Sequence, residues 1–377
     1  MIKKKDAETM EDRVQDLRPE IKRNSTFTQS TAFKVDDHGT KNSNETTKAD
    51  RQLDVEGKVS QTINETAKSL NSVIHDNRKL ISKSVVYSNV TSRPDVCAGC
   101  FKNNFRKIIN EPNLCDGDVE LLFMIASVAA KKDSRNAIRK TWCGDCNKPD
   151  SKMRLVFVFG NKHDFDKNEN LLEESKEFHD IIQMDFVDTY ANLTYKTMSS
   201  LQWSEDYCKQ AKYVMKTDDD MYINTELLPL LLKAAPSEKF IGGTCWGPGS
   251  PIRNSKSKWY ASVVQYRHSR YPAMCSGTGY VMSRDVVSGI LQTSPNVPFF
   301  YLEDVYIAIC ANTLGLHPVK LKGFKNNRAR FDPCSYRNQI ITSHRLNAHD
   351  LHYEWTESRT CPKADLRPEM VYKPFPV

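Results

Sequence analysis

The chain has 377 residues, 27% of them charged, and a formal net charge of +7. Length alone allows one large domain or two ordinary ones, with ample apolar material for a core. The positive charge is spread along the chain without a basic stripe interleaved with aromatics, which argues against a nucleic-acid-binding module. The longest apolar run, LLFMIASVAA from Leu121, is about half a membrane span, and the opening MIKKKDAETM is charged, so no signal peptide or anchor is visible.

From Met1 to Val96 the aromatics are Phe27, Phe33 and Tyr87, and there is no Trp or Cys. Such a polar stretch buries too little apolar surface to offset its ordering entropy, and residues 1–96 read as a disordered stem with a marginal helix around Val59 to Ile81. All 5 Trp and 11 Cys lie beyond Val96, which makes residues 97–377 the folded domain, with its core ending near Cys361. That cysteine density implies an oxidising compartment and several disulfides. The odd count leaves a thiol free or paired between chains, which leaves room for a homo-oligomer. Asn24, Asn44, Asn64, Asn89 and Asn192 open glycosylation acceptor sequences, consistent with a secretory-pathway chain.

Within the folded part, LLFMIASVAA is long enough for a buried strand, and Asp133 or Ser134 caps a helix through RNAIRKTW. RLVFVFG from Arg154 reads as a second buried strand closed by Gly160, followed by the helical spacing of NLLEESKEFHD. NLTYKTMSSLQWSEDYC carries Leu193, Thr197, Leu201 and Cys208 on one helical stripe and leads into the short strand KYVMK. ELLPLLLKAA is helical, KFIGGTCW is a strand, VSGILQT and EDVYIAICANTLG are helices, and HPVKLKGF returns to the sheet. This alternation predicts an α/β fold with both sheet faces covered.

The chemistry concentrates at TDDDMYIN. Asp218, Asp219 and Asp220 follow a strand, where open α/β sheets bind ligands, and their mutual repulsion is relieved by solvent, protonation or a cation. The run lacks the alternating oxygen ligands, Gly and distal Glu of an EF-hand, but suits Mg²⁺ or Mn²⁺ holding a nucleotide diphosphate. No GxxxxGK[ST] is present to hold phosphates instead. Glu303 and Asp304 open a helix, which is ordinary stabilisation of a helix N-terminus or a general base facing a metal-bound leaving group. WCGDC at Trp142 to Cys146 has thioredoxin-like spacing but ends a helix rather than opening one, so it reads as structural cysteines. CSGTGYVMS is a weak dinucleotide fingerprint, equally suited to a close backbone approach, and His344 and Trp355 alone suggest packing or surface.

Together these runs resemble the β-1,3-galactosyltransferases and their β-1,3-N-acetylglucosaminyl- and N-acetylgalactosaminyltransferase relatives. IINEPNLC, RNAIRKTW, DFVDTYANLTYKT, KTDDDMYIN, SKWY, YPAMCSGTGYVMS and LEDVYIAICANTLGLHP occur in the family's order, continued by Cys334, His344 and Trp355. The resemblance implies a GT-A type nucleotide-sugar-binding fold, a mixed sheet flanked by helices, and an inverting UDP-sugar reaction, most readily galactose transfer to a glycan hydroxyl. It also implies that Asp218, Asp220 and His344 hold Mn²⁺, with Mg²⁺ as the alternative. Arg135, Arg139, Trp142, Lys216, Asp218 and Asp219 would then lie on the donor side, and Asp304 with Glu303 would supply the base. Trp259, Tyr260, Gly277 and Gly279 would line the sugar and acceptor region.

Asn89 and Asn192 are the acceptor sequences nearest and within the domain. Family members are type II Golgi membrane proteins, so this chain either starts at an alternative residue or is a soluble form. Cys143 and Ala308 stand where the family usually has Gly. N-acetylglucosamine or N-acetylgalactosamine transfer and a catalytically silent lumenal sugar-binding protein are the alternatives, the latter opposed by intact Asp218, Asp220 and Asp304.

Overall fold

A computed structural model describes residues 92–161, 165–375 and 377. The calls on the stem, on a helix at residues 59–81 and on Asn24, Asn44, Asn64 and Asn89 lie outside the described residues, apart from positions 92–96. At those positions Arg93 donates to the carbonyls of Pro298 and Phe299, and Asp95 pairs with Arg267 and His268. The chain just upstream of Cys97 is therefore bound to the folded part.

The first half builds β1 (Lys107–Ile109), β2 (Leu121–Ala126), α1 (Lys132–Lys140), β3 (Met153–Asn161), α2 (Phe165–Phe178), β4 (Ile181–Val187), α3 (Leu193–Tyr207) and β5 (Tyr213–Asp218). The second half adds β6 (Met221–Ile223), α4 (Leu227–Ala234), β7 (Ile241–Trp246), β8 (Met274–Ser283), α5 (Arg284–Thr293), α6 (Glu303–Thr313) and β9 (Val319–Leu321). It closes with α7 (Pro333–Asn338), β10 (Thr342–His344), α8 (Ala348–Ser358), α9 (Pro368–Val371) and β11 (Pro374–Phe375). Nine strands form one sheet in the order β1-β4-β3-β2-β5-β8-β7-β9-β11. β4, β3, β2 and β5 run parallel, whereas β8 is antiparallel to both β5 and β7.

β2 through β5 read as near-continuous apolar runs because both faces of their sheet are covered. One face packs Leu122, Met124, Val156 and Val214 with Leu201, Trp203, Val287 and Tyr306 from helices α3, α5 and α6. The other packs Phe123, Ile125, Phe157 and Met215 with Ile138, Trp142, Leu228 and Leu351 from α1, α4 and α8 and the turn after α1. The expected mixed sheet flanked by helices is the observed fold.

Successive crossovers lead from β2 to β3 to β4, and α3 then returns the chain to β5 on the far side of β2. The order thus reverses between β2 and β5, with Ala126 opposite Asp218, and the crevice beyond such a switch is where open α/β sheets bind ligands. Gly160 differs from its expected place at the strand end. It lies inside β3 beside a bulge, where a Cβ would meet Phe186 at 2.6 Å.

All the cysteines lie within the described residues and form Cys97–Cys100, Cys115–Cys208, Cys143–Cys146, Cys245–Cys275 and Cys334–Cys361. Cys310 is the remaining thiol and is buried, so it is not presented to another chain. WCGDC is a closed disulfide, as its place after a helix suggested. No helix among the described residues is long and apolar enough to cross a membrane.

Candidate active site

The acidic run is split by the fold. Asp218 ends β5, and Asp219 and Asp220 form the turn into β6. β6 pairs antiparallel with β10, setting Met221 opposite His344 and bringing a residue 123 positions further along the chain to the turn. Leu346 N–H donates to the Asp220 carbonyl at 3.0 Å and fixes the crossing.

The turn is braced from beneath. The buried Trp142 indole donates to the Met221 carbonyl at 2.9 Å, and its ring meets Phe123 edge-on at 5.5 Å.

Ligand atoms of Asp218, Asp220 and His344 all lie within 4.8 Å of one another. His344 Nε2 is 3.3 Å from Asp220 Oδ1, and Nδ1 lies 3.0 Å from the Asn326 carbonyl. Because a carbonyl only accepts, Nδ1 carries a proton; Nε2 donates to Asp220 when the ring is protonated and offers its lone pair to a cation when it is not. Two carboxylates and an imidazole are a donor set suited to Mn²⁺-like divalent ions. Burial would raise the Asp220 pKa, but its hydrogen bond and charge interaction with His344 hold it below the ordinary value. Asp219 has another role: Ser127 Oγ donates to its Oδ2 at 2.7 Å, and burial pushes its pKa up to about 6. Asp218, Asp220 and His344 are thus a candidate site for a divalent cation.

Lys216 is 4% exposed and donates to Asp218 Oδ1 at 2.8 Å and to the Gly277 carbonyl, with Glu303 Oε1 at 3.2 Å. Burial would lower its pKa, but the carboxylates of Asp218 and Glu303 outweigh that and raise it. Glu303 is buried and accepts from Tyr280 OH at 3.0 Å and Thr197 Oγ1 at 3.2 Å, and burial pushes its pKa up to about 7. Asp304 is next in the helix. Val305 N–H donates to Oδ1 at 2.9 Å and Gly277 N–H to Oδ2 at 3.4 Å, while burial raises its pKa.

Gly277 is required at this junction, because a Cβ there would stand 2.4 Å from Glu303 Oε1. Gly279 is buried in β8 opposite Thr217, where a Cβ would contact Met215 at 3.2 Å, so it serves sheet packing.

Arg135, Arg139 and Trp142 are not free to touch a ligand. Arg135 is 1% exposed, pairs with Glu174 through two bonds of 2.7 Å and donates to Ser127 Oγ and the Val128 carbonyl. Arg139 is held by Asp180 through two bonds of 2.8 Å and by Glu174 at 2.8 Å. Their polar groups are taken up inside the protein: Arg135 bonds Ser127, Arg139 braces Glu174, and Trp142 holds the first carbonyl of β6.

Trp259 and Tyr190 are exposed, and Lys258 Nζ lies 4.6 Å and 5.9 Å from their ring centroids. Burial and then the Asp304 charge raise the Tyr190 pKa, which puts this shelf within the field of Asp304. Tyr301 OH, just upstream of Asp304 in the chain, donates to the carbonyls of Lys258 and Tyr260 and fixes the shelf. Asn192 Nδ2, the atom that would carry a glycan, donates to the Val187 carbonyl at 2.7 Å, and Thr194 of its acceptor sequence is buried.

Sequence reasoning missed Ser127, Tyr190, Tyr280 and, as a polar ligand, Thr197. The available signals were the polar residue ending the first buried strand and the Tyr directly after the Gly-x-Gly.

A family model described as Galactosyltransferase matches residues 133–322. Human beta-1,3-galactosyltransferase 1 is 38% identical over 279 residues, covering 73% of this chain and 83% of the relative. Human beta-1,3-galactosyltransferase 2 is 38% identical over 261 residues, covering 67% and 62%. A solved galactosyltransferase LgtC, in complex with donor and acceptor sugar analogs, aligns at 11% identity and a TM-score of 0.32 over 65% of this chain and 97% of its own. That last likeness is too distant to bear on the assignment.

The chain is a glycosyltransferase with a candidate cation site at the switch point of a mixed α/β sheet. It belongs to the galactosyltransferase family.

Proposed function

We propose that this chain is an inverting β-1,3-galactosyltransferase that moves galactose from UDP-galactose to a glycan hydroxyl, with Mn²⁺ at Asp218, Asp220 and His344. The observation that carries the reading is Gly277: its carbonyl holds Lys216 beside Asp218, and its N–H faces Asp304. One backbone unit thus sits between the cation ligands and a candidate base. The similar proteins named beta-1,3-galactosyltransferases favour the same donor and linkage.

When bound, the cation offsets the charge developing on the UDP leaving group. Asp304 accepts the proton of the acceptor hydroxyl as that oxygen attacks the anomeric carbon from the face opposite UDP. The bond from carbon to phosphate oxygen breaks, its electrons leave with UDP, and the configuration inverts. The raised pKa makes Asp304 a better proton acceptor than an exposed aspartate. Trp259, Tyr260 and the neighbouring Tyr190 present the acceptor sugar, and their rings limit the water that would hydrolyse the donor. Glu303 has no direct part in this step.

Residues 97–377 serve as the catalytic domain and residues 1–96 as a stem. The five disulfides support an oxidising, Golgi-type compartment.

The test is a donor screen of the full chain with Mn²⁺, UDP-sugars and simple β-linked acceptors. Galactose transfer is expected, with Asp304→Asn slower by about 10²–10⁴-fold, and EDTA should abolish UDP binding. Transfer of an N-acetylhexosamine in place of galactose overturns the donor assignment. Absence of any transfer or hydrolysis above Asp304→Asn overturns the catalytic one.

A further inference from the structure

We propose that Lys216 and Glu303 form a buried charge bridge that positions the cation ligand Asp218, and that neither touches substrate. The inference rests on the cation-dependent reading above. An ammonium group has three protons to donate. Lys216 faces three acceptors inside the protein, Asp218 Oδ1, Glu303 Oε1 and the Gly277 carbonyl, and at 4% exposure it is enclosed away from a donor phosphate. Glu303 is equally enclosed, with Lys216 at one oxygen, Tyr280 and Thr197 at the other, and an exposure of 5%.

The bridge joins four elements. Lys216 and Asp218 come from β5, Gly277 and Tyr280 from β8, Thr197 from α3, and Glu303 from the first turn of α6, which also carries Asp304. Its charges nearly cancel, so Lys216 can hold Asp218 in place without adding net positive charge beneath a divalent ion. Removing only the Glu303 charge leaves the lysine balanced by Asp218 alone. Asp218 then spends more of its field on the lysine and less on the cation.

The experiment measures Mn²⁺ binding directly, by calorimetry and by the Mn²⁺ electron-spin signal, on the full chain and its variants. Glu303→Gln keeps the shape, with its carbonyl oxygen toward Lys216 and its NH2 donating to the hydroxyls of Tyr280 and Thr197, and is expected to weaken Mn²⁺ binding about tenfold although it contacts no cation. The double variant Lys216→Met with Glu303→Gln removes both charges and is expected to recover most of that loss.

Unchanged binding in Glu303→Gln overturns the bridge, as does a double variant no better than Glu303→Gln. Tyr280→Phe, which loosens Glu303 without altering charge, is expected to weaken binding about twofold to threefold and covers the case in which Glu303→Gln does not fold. Failure of the wild-type chain to bind Mn²⁺ overturns the cation reading itself. Wild-type binding with no response from the variants overturns only this inference.

Discussion

Two clusters of charge share Ser127. On one side Arg135, Arg139, Glu174 and Asp180 balance cation against anion, with every side chain at 10% exposure or less. On the other, Asp218, Asp219, Asp220, Glu303 and Asp304 face Lys216 and His344, and Asp218 and Asp220 keep about a third of their surface open. Ser127 accepts from Arg135 at 3.2 Å and donates to Asp219 at 2.7 Å, linking the two. The balanced, buried cluster has its charges matched internally and works as scaffold. The unbalanced, open one requires a positive partner and is where chemistry can occur.

The comparison predicts opposite phenotypes. Arg135→Met strips Glu174 of its bidentate partner and frees the carbonyls before α1. It should destabilise the fold by about 3–5 kcal/mol, read from urea unfolding. Stability within about 1 kcal/mol of wild type would mean that the sealed cluster is not scaffold. His344→Ala should do the reverse. It should weaken Mn²⁺ binding about tenfold or more, measured by calorimetry, and leave the unfolding midpoint nearly unchanged, because its Asp220 contact relieves repulsion only locally. A marked loss of stability without loss of binding would erase the distinction.

The open cluster was largely legible in the sequence and the sealed one was not. Asp218 to Asp220 and Glu303–Asp304 announce themselves because like charges in a row need an external reason. Position at a strand end and at a helix start then supplied the place of each. Arg135, Arg139 and Trp142 sit in a run that matches the family's donor-side motif, but a motif does not disclose whether a guanidinium faces a ligand or a buried Glu174. That depends on α2 packing beside α1, which sequence spacing does not encode.

β6 and β10 escaped for a simpler reason. Strands of 3 residues carry too little alternation to register. Their pairing is what brings His344 to Asp220, so the His looked isolated. Gly277 was read as permitting a close backbone approach to a ligand; the structure shows in addition that Glu303 Oε1 occupies the space a Cβ there would need.

The smallest expected effect concerns protons. Burial raises the Asp304 pKa, opposed by the backbone N–H groups of Val305 and Gly277 and by the Lys216 charge. A base works ionised, so activity is full above this raised pKa and is lost as pH falls through it. With cation and UDP-galactose saturating, the acid limb of kcat should therefore lie above the ordinary aspartate value of about 4. Saturation matters, because protons also compete with the cation for His344, and an unsaturated profile would report the ligand rather than the base. A limb at or below the ordinary value would place Asp304 in a solvated setting, unlike its buried place beside the N–H groups of Gly277 and Val305. The asymmetry between an open ligand cluster and a shielded base would then fail at the residue where it bears most directly on rate.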